Sequence, residues 1–343
     1  MFSEVSSVFG RTFLVGFFLP AIFFIAVQVV LFDYIVPDNP IVKLAINIGI
    51  INDLDKLDKP ILISLGFIIA ALVGVQLQLI NNDVLRFMEG YFFYKPRLRV
   101  VYNFFRAKEL KRWEKYVDDY RKARRELREA IKSNETYNKH QETGKNQELI
   151  NSLKSLRSYF PGCRGMILPF RIGNAIRSFE YNLTRTYNVD AVTIWPRLIT
   201  VIPKDYAEQV DASKANLDFF VNSSFLMLLT IPELIILLII EPFDIRWPSI
   251  WYMIIIQALG YLILALVYNL ILFALFWWFH SRAVTMSIEW GTNIKSCFDA
   301  FRLDLLKRLG YEMPDDIDEE RMLWLKISRS YLYTQKNNVK YAK

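Results

Sequence analysis

Four runs of this 343-residue chain contain no lysine or arginine: residues 13–36, 60–80, 218–240 and 250–279. About 20 helical residues span the ~30 Å hydrocarbon core of a bilayer, and each run is long enough. A cation at mid-membrane is expensive, so a membrane imposes this kind of avoidance. The chain is 53% hydrophobic and 15% aromatic, with a mean hydropathy of +0.19. A water-soluble fold of that composition would expose apolar surface it could not hide. The expected class is an all-α membrane protein with four transmembrane helices.

The 42 basic residues orient the runs. Residues 81–217 carry 26 Lys and Arg against 16 Asp and Glu, a net of +10. Residues 37–59 hold 3 basic and 4 acidic residues, and residues 241–249 hold 1 and 2, so each loop is net −1. Basic flanks stay on the cytoplasmic side. The expected layout places helices 1 and 2 in residues 1–80 and helices 3 and 4 in residues 218–279. A basic cytoplasmic helical domain, residues 81–217, is inserted between helices 2 and 3. Cytoplasmic C-terminal helices occupy residues 280–343, so both termini are inside. The start, MFSEVSSVFGRTF, lacks a basic leader and a small-residue cleavage site, so the first run is expected to remain as an anchor. The expected location is a plasma (inner) membrane.

Within the middle segment, Trp113, Tyr116, Tyr120, Ala123, Leu127 and Ala130 recur at spacings of 3 and 4. That is an apolar seam on a charged helix, residues 97–132. Residues 133–144 have no periodicity and read as a loop. Leu149, Leu153, Leu156 and Phe160 mark a shorter helix, which completes an antiparallel hairpin over residues 97–160. Pro203 fits the first turn of a helix expected to run directly into the third run. Beyond the fourth run, residues 281–310 read as an amphipathic helix stopped by Gly310. An acidic turn at 314–320 and a last helix follow. Basic residues near the inner leaflet gain on the order of 1 kcal/mol each from anionic lipid, which makes such lipid an expected partner. Nucleic acid is not expected, because a solvated basic face explains these charges.

One stretch, residues 171–198, is dense in specific-looking residues. Gly173 and Asn174 are expected to cap a helix. Arg177 and Glu180 are i,i+3 neighbours able to pair. Asp190 is placed to cap a further turn. Trp195 precedes Pro196, which predicts a bend there. Arg197 leaves that bend with a planar five-donor head, and Glu180 and Asp190 are its expected partners. The favoured reading is a polar latch tying the cytoplasmic domain to the base of the third run. The sharper reading is an anion or ligand site built from Arg171, Arg177, Arg185 and Arg197.

The pattern Leu168, Pro169, Gly173, Asn174, Arg177, Glu180, Tyr187, Asp190, Ala191, Trp195, Pro196, Arg197 and Leu198 resembles a group of bacterial multi-pass inner-membrane proteins. They are similar in a GN-x2-R-x2-E…Y-x2-DA-x3-WPRL segment between two membrane halves. The resemblance covers about a tenth of the chain. It implies a prokaryotic inner-membrane protein of this layout and supplies no activity.

Glu233 is the ionisable residue that lies well inside a run. It stands seven residues from the outer end at Ile240, about 10 Å deep at 1.5 Å per residue. Gln257 is seven residues from Ile250 and Gln28 is eight from Val36, so the three share a depth. A second polar layer, Gln76, Gln78, Asn222, Ser223, Ser224 and Asn269, lies nearer the cytoplasm. Either layer can be interhelical hydrogen bonding, or Glu233 can be a cation site in a watered path.

Two cysteines, Cys163 and Cys297, and two histidines, His140 and His280, are too few for a metal site. No glycine-rich phosphate loop, HExxH or GxSxG pattern supplies a catalytic one. Neither enzymatic activity nor a cofactor is expected. The function expected is an integral membrane sensor or effector, an oligomeric ion-conducting protein gated by its cytoplasmic domain. The alternative is a non-conducting scaffold or accessory subunit that recruits a cytoplasmic protein partner.

Overall fold

The computed structural model describes residues 10–30, 59–132, 139–240 and 251–333, which are mostly helical with no strand among them. The helices are α1 (Gly10–Val30), α2 (Lys59–Leu79), α3 (Asn81–Glu89), α4 (Arg99–Lys132), α5 (Lys139–Tyr159), α6 (Arg171–Tyr187), α7 (Ala191–Leu198), α8 (Lys204–Ile240), α9 (Trp251–Arg308) and α10 (Ile317–Tyr333). Three stretches, Gly10–Val30, Lys204–Glu233 and Leu262–Arg308, are long and apolar enough to cross a membrane. A fourth crossing exists if Ile63–Leu79 and Asn81–Glu89, bent by 63°, count as one. The acidic connections at 37–59 and 241–249 fall almost wholly outside the described residues.

The chain forms two compact units. The first comprises Met1–Leu85 and Lys214–Ala283, the second Arg86–Ser213 and Val284–Lys343. In the first unit, Phe13, Leu14 and Phe17 of α1 pack with Leu77 of α2, Leu226 and Met227 of α8, and Tyr268, Leu272 and Phe279 of α9. Other faces of α2 and α9 are also apolar. Ile63, Leu72, Leu266 and Leu270 are 61–67% exposed. Helices that are apolar all round suit surroundings as apolar as the core, which is how a lipid-facing helix reads. In α1 the turn Leu14–Phe18 is a π-helix. A Cβ on its Gly16 would lie 3.2 Å from the Asp218 Cβ, so glycine permits that close approach to α8. The Gly16 carbonyl accepts from Asn222 Nδ2 at 2.9 Å.

The second unit is built on the α4–α5 hairpin. The seam forms where the Tyr116 ring packs, tilted, at 5.8 Å from Tyr159 and 5.5 Å from Phe160, with Leu127 buried. Helix α5 starts at Lys139, so residues 139–144, read as loop, are helical, and 133–138 lie outside the described residues. Lys, Gln and Glu favour helix without any apolar stripe, and the lone Gly144 costs only about 1 kcal/mol.

Gly90 ends α3 at a φ of +97°, and a Cβ there would sit 2.3 Å from Pro169 Cγ. Helix α6 begins at Arg171 after an extended Phe170 and closes on left-handed Asn188. The expected cap at Gly173–Asn174 is therefore wrong: both lie inside the helix. Asp190 does cap α7, its side chain accepting from the Thr193 N–H. The bend expected at Trp195 is absent, because α7 continues through Pro196. The bond from the Ile199 N–H to the Trp195 carbonyl at 3.1 Å carries the turn past it. Helix α9 continues unbroken through the region read as a separate amphipathic helix, and ends where Gly310 takes a φ of +76°. The bond from Tyr311 N–H to the Leu306 carbonyl completes a glycine C-cap. Residues 317–320, read as an acidic turn, form the first turn of α10. Asp316 caps it by accepting from the Asp318 and Glu319 N–H groups at 2.8 Å.

Candidate functional site

In the first unit, Gln28 Nε2 of α1 donates to Glu233 Oε2 of α8 at 2.7 Å. Glu233 follows Pro232, which supplies no N–H to the helix ladder. At the adjacent residue of α1, the Tyr268 hydroxyl of α9 donates to the Val27 carbonyl at 3.1 Å. Three helices thus converge on one polar level between apolar side chains. The side chain of Gln257, expected at the same depth, lies outside the described residues.

The second layer is present in part. Asn222, Ser223 and Ser224 of α8 are fully buried. Asn222 Oδ1, Ser223 Oγ, Ser224 Oγ and Asn81 Oδ1 are buried with no hydrogen-bond partner among the described residues. Asn269 Nδ2 bonds the Ala265 carbonyl of its own helix. Gln76 and Gln78 are exposed on α2, so they do not join the buried Asn222, Ser223 and Ser224 within this unit. Buried Asp218 pairs with Lys214 and accepts from Asn81 Nδ2 at 3.2 Å.

In the second unit, the 171–198 stretch reaches neighbours on many sides. Asn174 is fully buried. Its Oδ1 accepts from the Leu168 N–H at 2.7 Å, and its Nδ2 donates to the Leu168 carbonyl at 3.0 Å and to Glu109 Oε2 at 3.2 Å. A Cβ on Gly173 would come within 2.7 Å of the Glu89 carbonyl oxygen, so backbone approach explains this glycine. Buried Glu109 also accepts from Arg112 at 2.8 Å and lies 4.0 Å from Arg171 Nε. Burial first, then the neighbouring Arg112, lowers the Arg171 pKa.

Arg177 Nε donates to the Tyr91 hydroxyl at 3.1 Å, and its guanidinium lies 5.6 Å from that ring. Arg197 stacks 3.6 Å from the Tyr331 ring centroid and donates to the Thr193 carbonyl at 2.7 Å, rather than to Glu180 or Asp190 as expected. A stacked guanidinium needs no carboxylate. Trp195 lies 6.4 Å from Phe298. The Tyr187 hydroxyl donates to Asp299 Oδ1 at 2.7 Å, and burial followed by that bond pushes its pKa up to about 12. The Asp190 N–H donates to Ser328 Oγ at 3.1 Å. Arg185 is exposed and receives Arg321 on its backbone carbonyl at 3.3 Å. Arg171, Arg177 and Arg197 thus have separate partners and do not converge with Arg185 on one anion.

The hydrogen-bond and ring partners of this stretch are residues of the second unit, so it works as a hub joining the α3–α4 side to α9 and α10. Sequence reasoning missed Glu109, Asp299, Arg302 and Glu320. Each lies on a helix rich in charges, and nothing local separates a buried carboxylate from a solvated one.

Glu180 gives a test of whether this region is structural. Burial raises its pKa, Arg177 opposes the shift, and Asp190 adds to it. A carboxyl whose folded pKa is raised binds more protons in the folded state, so its contribution to stability falls as pH rises above the ordinary 4.5. Glu180→Gln is therefore expected to raise Tm at neutral pH by a few degrees or less, with the gain vanishing below 4.5. Thermal unfolding of both proteins across pH checks this. A Tm loss at neutral pH would mean that the carboxylate itself is needed.

Comparison of the chain with protein-family models, with curated proteins and with solved structures finds no match.

Proposed function

We propose that the chain is a four-span inner-membrane protein that assembles with copies of itself and conducts cations, with the second unit cytoplasmic and regulatory. The observation that carries this reading is the 2.7 Å Gln28–Glu233 bond. It joins an ionisable group to a second apolar helix at the depth where such a group is costly and therefore functional by default. The buried oxygens of Asn81, Asn222, Ser223 and Ser224 support it. Unpaired polar oxygens cost about 1–3 kcal/mol each unless water or a cation reaches them. A carboxylate with amide, hydroxyl and carbonyl oxygens is a donor set for hard cations. Four spans enclose little space, so conduction requires several copies. The basic segment at residues 81–217 suits an inner leaflet carrying anionic lipid.

The test is cation flux into liposomes holding the purified protein, wild type beside Glu233→Gln at matched content. The amide keeps the size of the side chain and the bond to Gln28 while removing the charge. Flux in the wild type that falls about tenfold or more in the variant supports the reading, since a removed charge site is worth at least one factor of ten. Absence of flux from inserted, folded wild type favours the scaffold, with the α4–α5 hairpin as the place to seek a cytoplasmic protein. Sidedness has its own test, since Cys163 is exposed and Cys297 is buried. A membrane-impermeant maleimide is expected to label Cys163 only after intact cells are opened. Labelling of intact cells would reverse the topology.

A further inference from the structure

The seam between α4 and α5 is not filled along its whole length. Where α6 meets the hairpin it leaves a cavity of about 230 Å³, within the second unit. Trp113 and Tyr120 of α4, Arg157 of α5, and Tyr181, Asn182 and Arg185 of α6 line it. We infer that this cavity binds a small aromatic anion, a mononucleotide-sized ring bearing a phosphate.

Three features select that class. First, the guanidinium groups of Arg157 and Arg185 come from different helices and have neither a carboxylate partner nor a hydrogen bond among the described residues. The other arginines of α6, Arg171 and Arg177, both have partners. Two arginines with uncommitted five-donor heads lining one cavity suit a phosphate. Second, Trp113, Tyr120, Phe160 and Tyr181 put four aromatic rings among the lining residues. Indole and phenol faces stack on planar rings with little demand on ring identity. Third, the site is held in shape. Asn182 Nδ2 donates to the Arg157 carbonyl at 3.3 Å, and Ser178 Oγ donates to the same oxygen, fixing α5 against α6. Beneath, a Cβ on Gly162 would lie 2.2 Å from Tyr181 Cε1, so glycine lets the Tyr181 ring lie flat against the chain. Cys163 Sγ donates to the Tyr181 hydroxyl at 3.5 Å. The volume, about 230 Å³, is below the usual range of roughly 300–1,000 Å³ for ligand sites, which limits the enclosed part of the occupant to about one ring system with its phosphate at the opening. This site stands whether or not the first unit conducts.

The test is calorimetric titration of the full-length protein in detergent with each of the four ribonucleoside 5′-monophosphates. Inorganic phosphate and adenosine are titrated alongside. At least one nucleotide is expected to bind with unit stoichiometry, and phosphate and adenosine at least about tenfold more weakly. Arg157→Ala and Arg185→Ala alter exposed side chains, so folding is retained. Each is expected to weaken binding by about tenfold or more, the loss of a charge-assisted pair. Tryptophan quenching by the bound nucleotide is expected to drop in Trp113→Phe. Failure of all four nucleotides to bind overturns the inference. So does equal affinity for phosphate alone, or affinity unchanged in both arginine variants.

Discussion

Replacing Asn174 with aspartate is expected to cost about 3–5 kcal/mol of stability at neutral pH, more than replacing it with alanine. The change is nearly isosteric, so packing is not the reason. Asn174 Nδ2 faces two acceptors, the Leu168 carbonyl at 3.0 Å and Glu109 Oε2 at 3.2 Å. A carboxylate oxygen there donates to neither and repels both, in a position with no exposed surface. Alanine removes the donor but buries no charge, and is expected to cost about 2–3 kcal/mol from the stranded Leu168 and Glu109 groups. The two variants separate further in acid. A protonated carboxyl has one O–H to donate, so Asn174→Asp is expected to recover stability as pH falls towards the ordinary carboxyl range, and Asn174→Ala is not. Thermal unfolding at several pH values reads this directly. Equal losses in both variants at every pH would mean that the Glu109 and Leu168 contacts do not hold α4 to α6.

The helical class and the apolar runs were legible because their causes are local: periodicity, chain length and the exclusion of cations. Counting along the spans placed Gln28 and Glu233 at one depth, and they are in hydrogen-bond contact. Gln76 and Gln78, read into the second polar layer, are exposed, because position along a helix says nothing of its rotation. Helix starts were legible where a side chain caps its own turn, as at Asp190. They were misread at Gly173–Asn174, where the same residue types serve packing and a long-range bond. What could not be read was pairing across distance. Asn174 meets Glu109 from 65 residues away, Tyr187 meets Asp299 from 112, and Asp190 meets Ser328 from 138. Those pairings follow from how helices rotate against one another, which a side-chain pattern on a single helix does not encode.

The largest effect outside α6 is expected at Glu320. It is buried in the first turn of α10, where its Oε1 accepts from Arg302 Nε at 2.7 Å and from Trp324 Nε1 at 3.2 Å. Arg302 also lies 4.4 Å from the Tyr187 ring centroid, so this pair backs the tyrosine that closes α6. Glu320→Ala leaves a largely buried guanidinium and a fully buried indole N–H without their acceptor. The expected cost is about 3–5 kcal/mol, the penalty for breaking a buried pair from one side. Arg302→Met strands the carboxylate instead and is expected to cost a similar amount. Arg302→Met combined with Glu320→Leu removes both charges and refills the space, and is expected to cost less than the sum of the two single changes by about 1–3 kcal/mol. Much of each single loss is the desolvation of an abandoned charge rather than the strength of the pair, so the double change restores what either alone destroys. Unfolding of the three variants, followed by denaturant at fixed pH, measures the coupling. Additive losses would mean that Arg302 and Glu320 act separately, and that α10 is held to the hub by the Arg321, Ser328 and Tyr331 contacts.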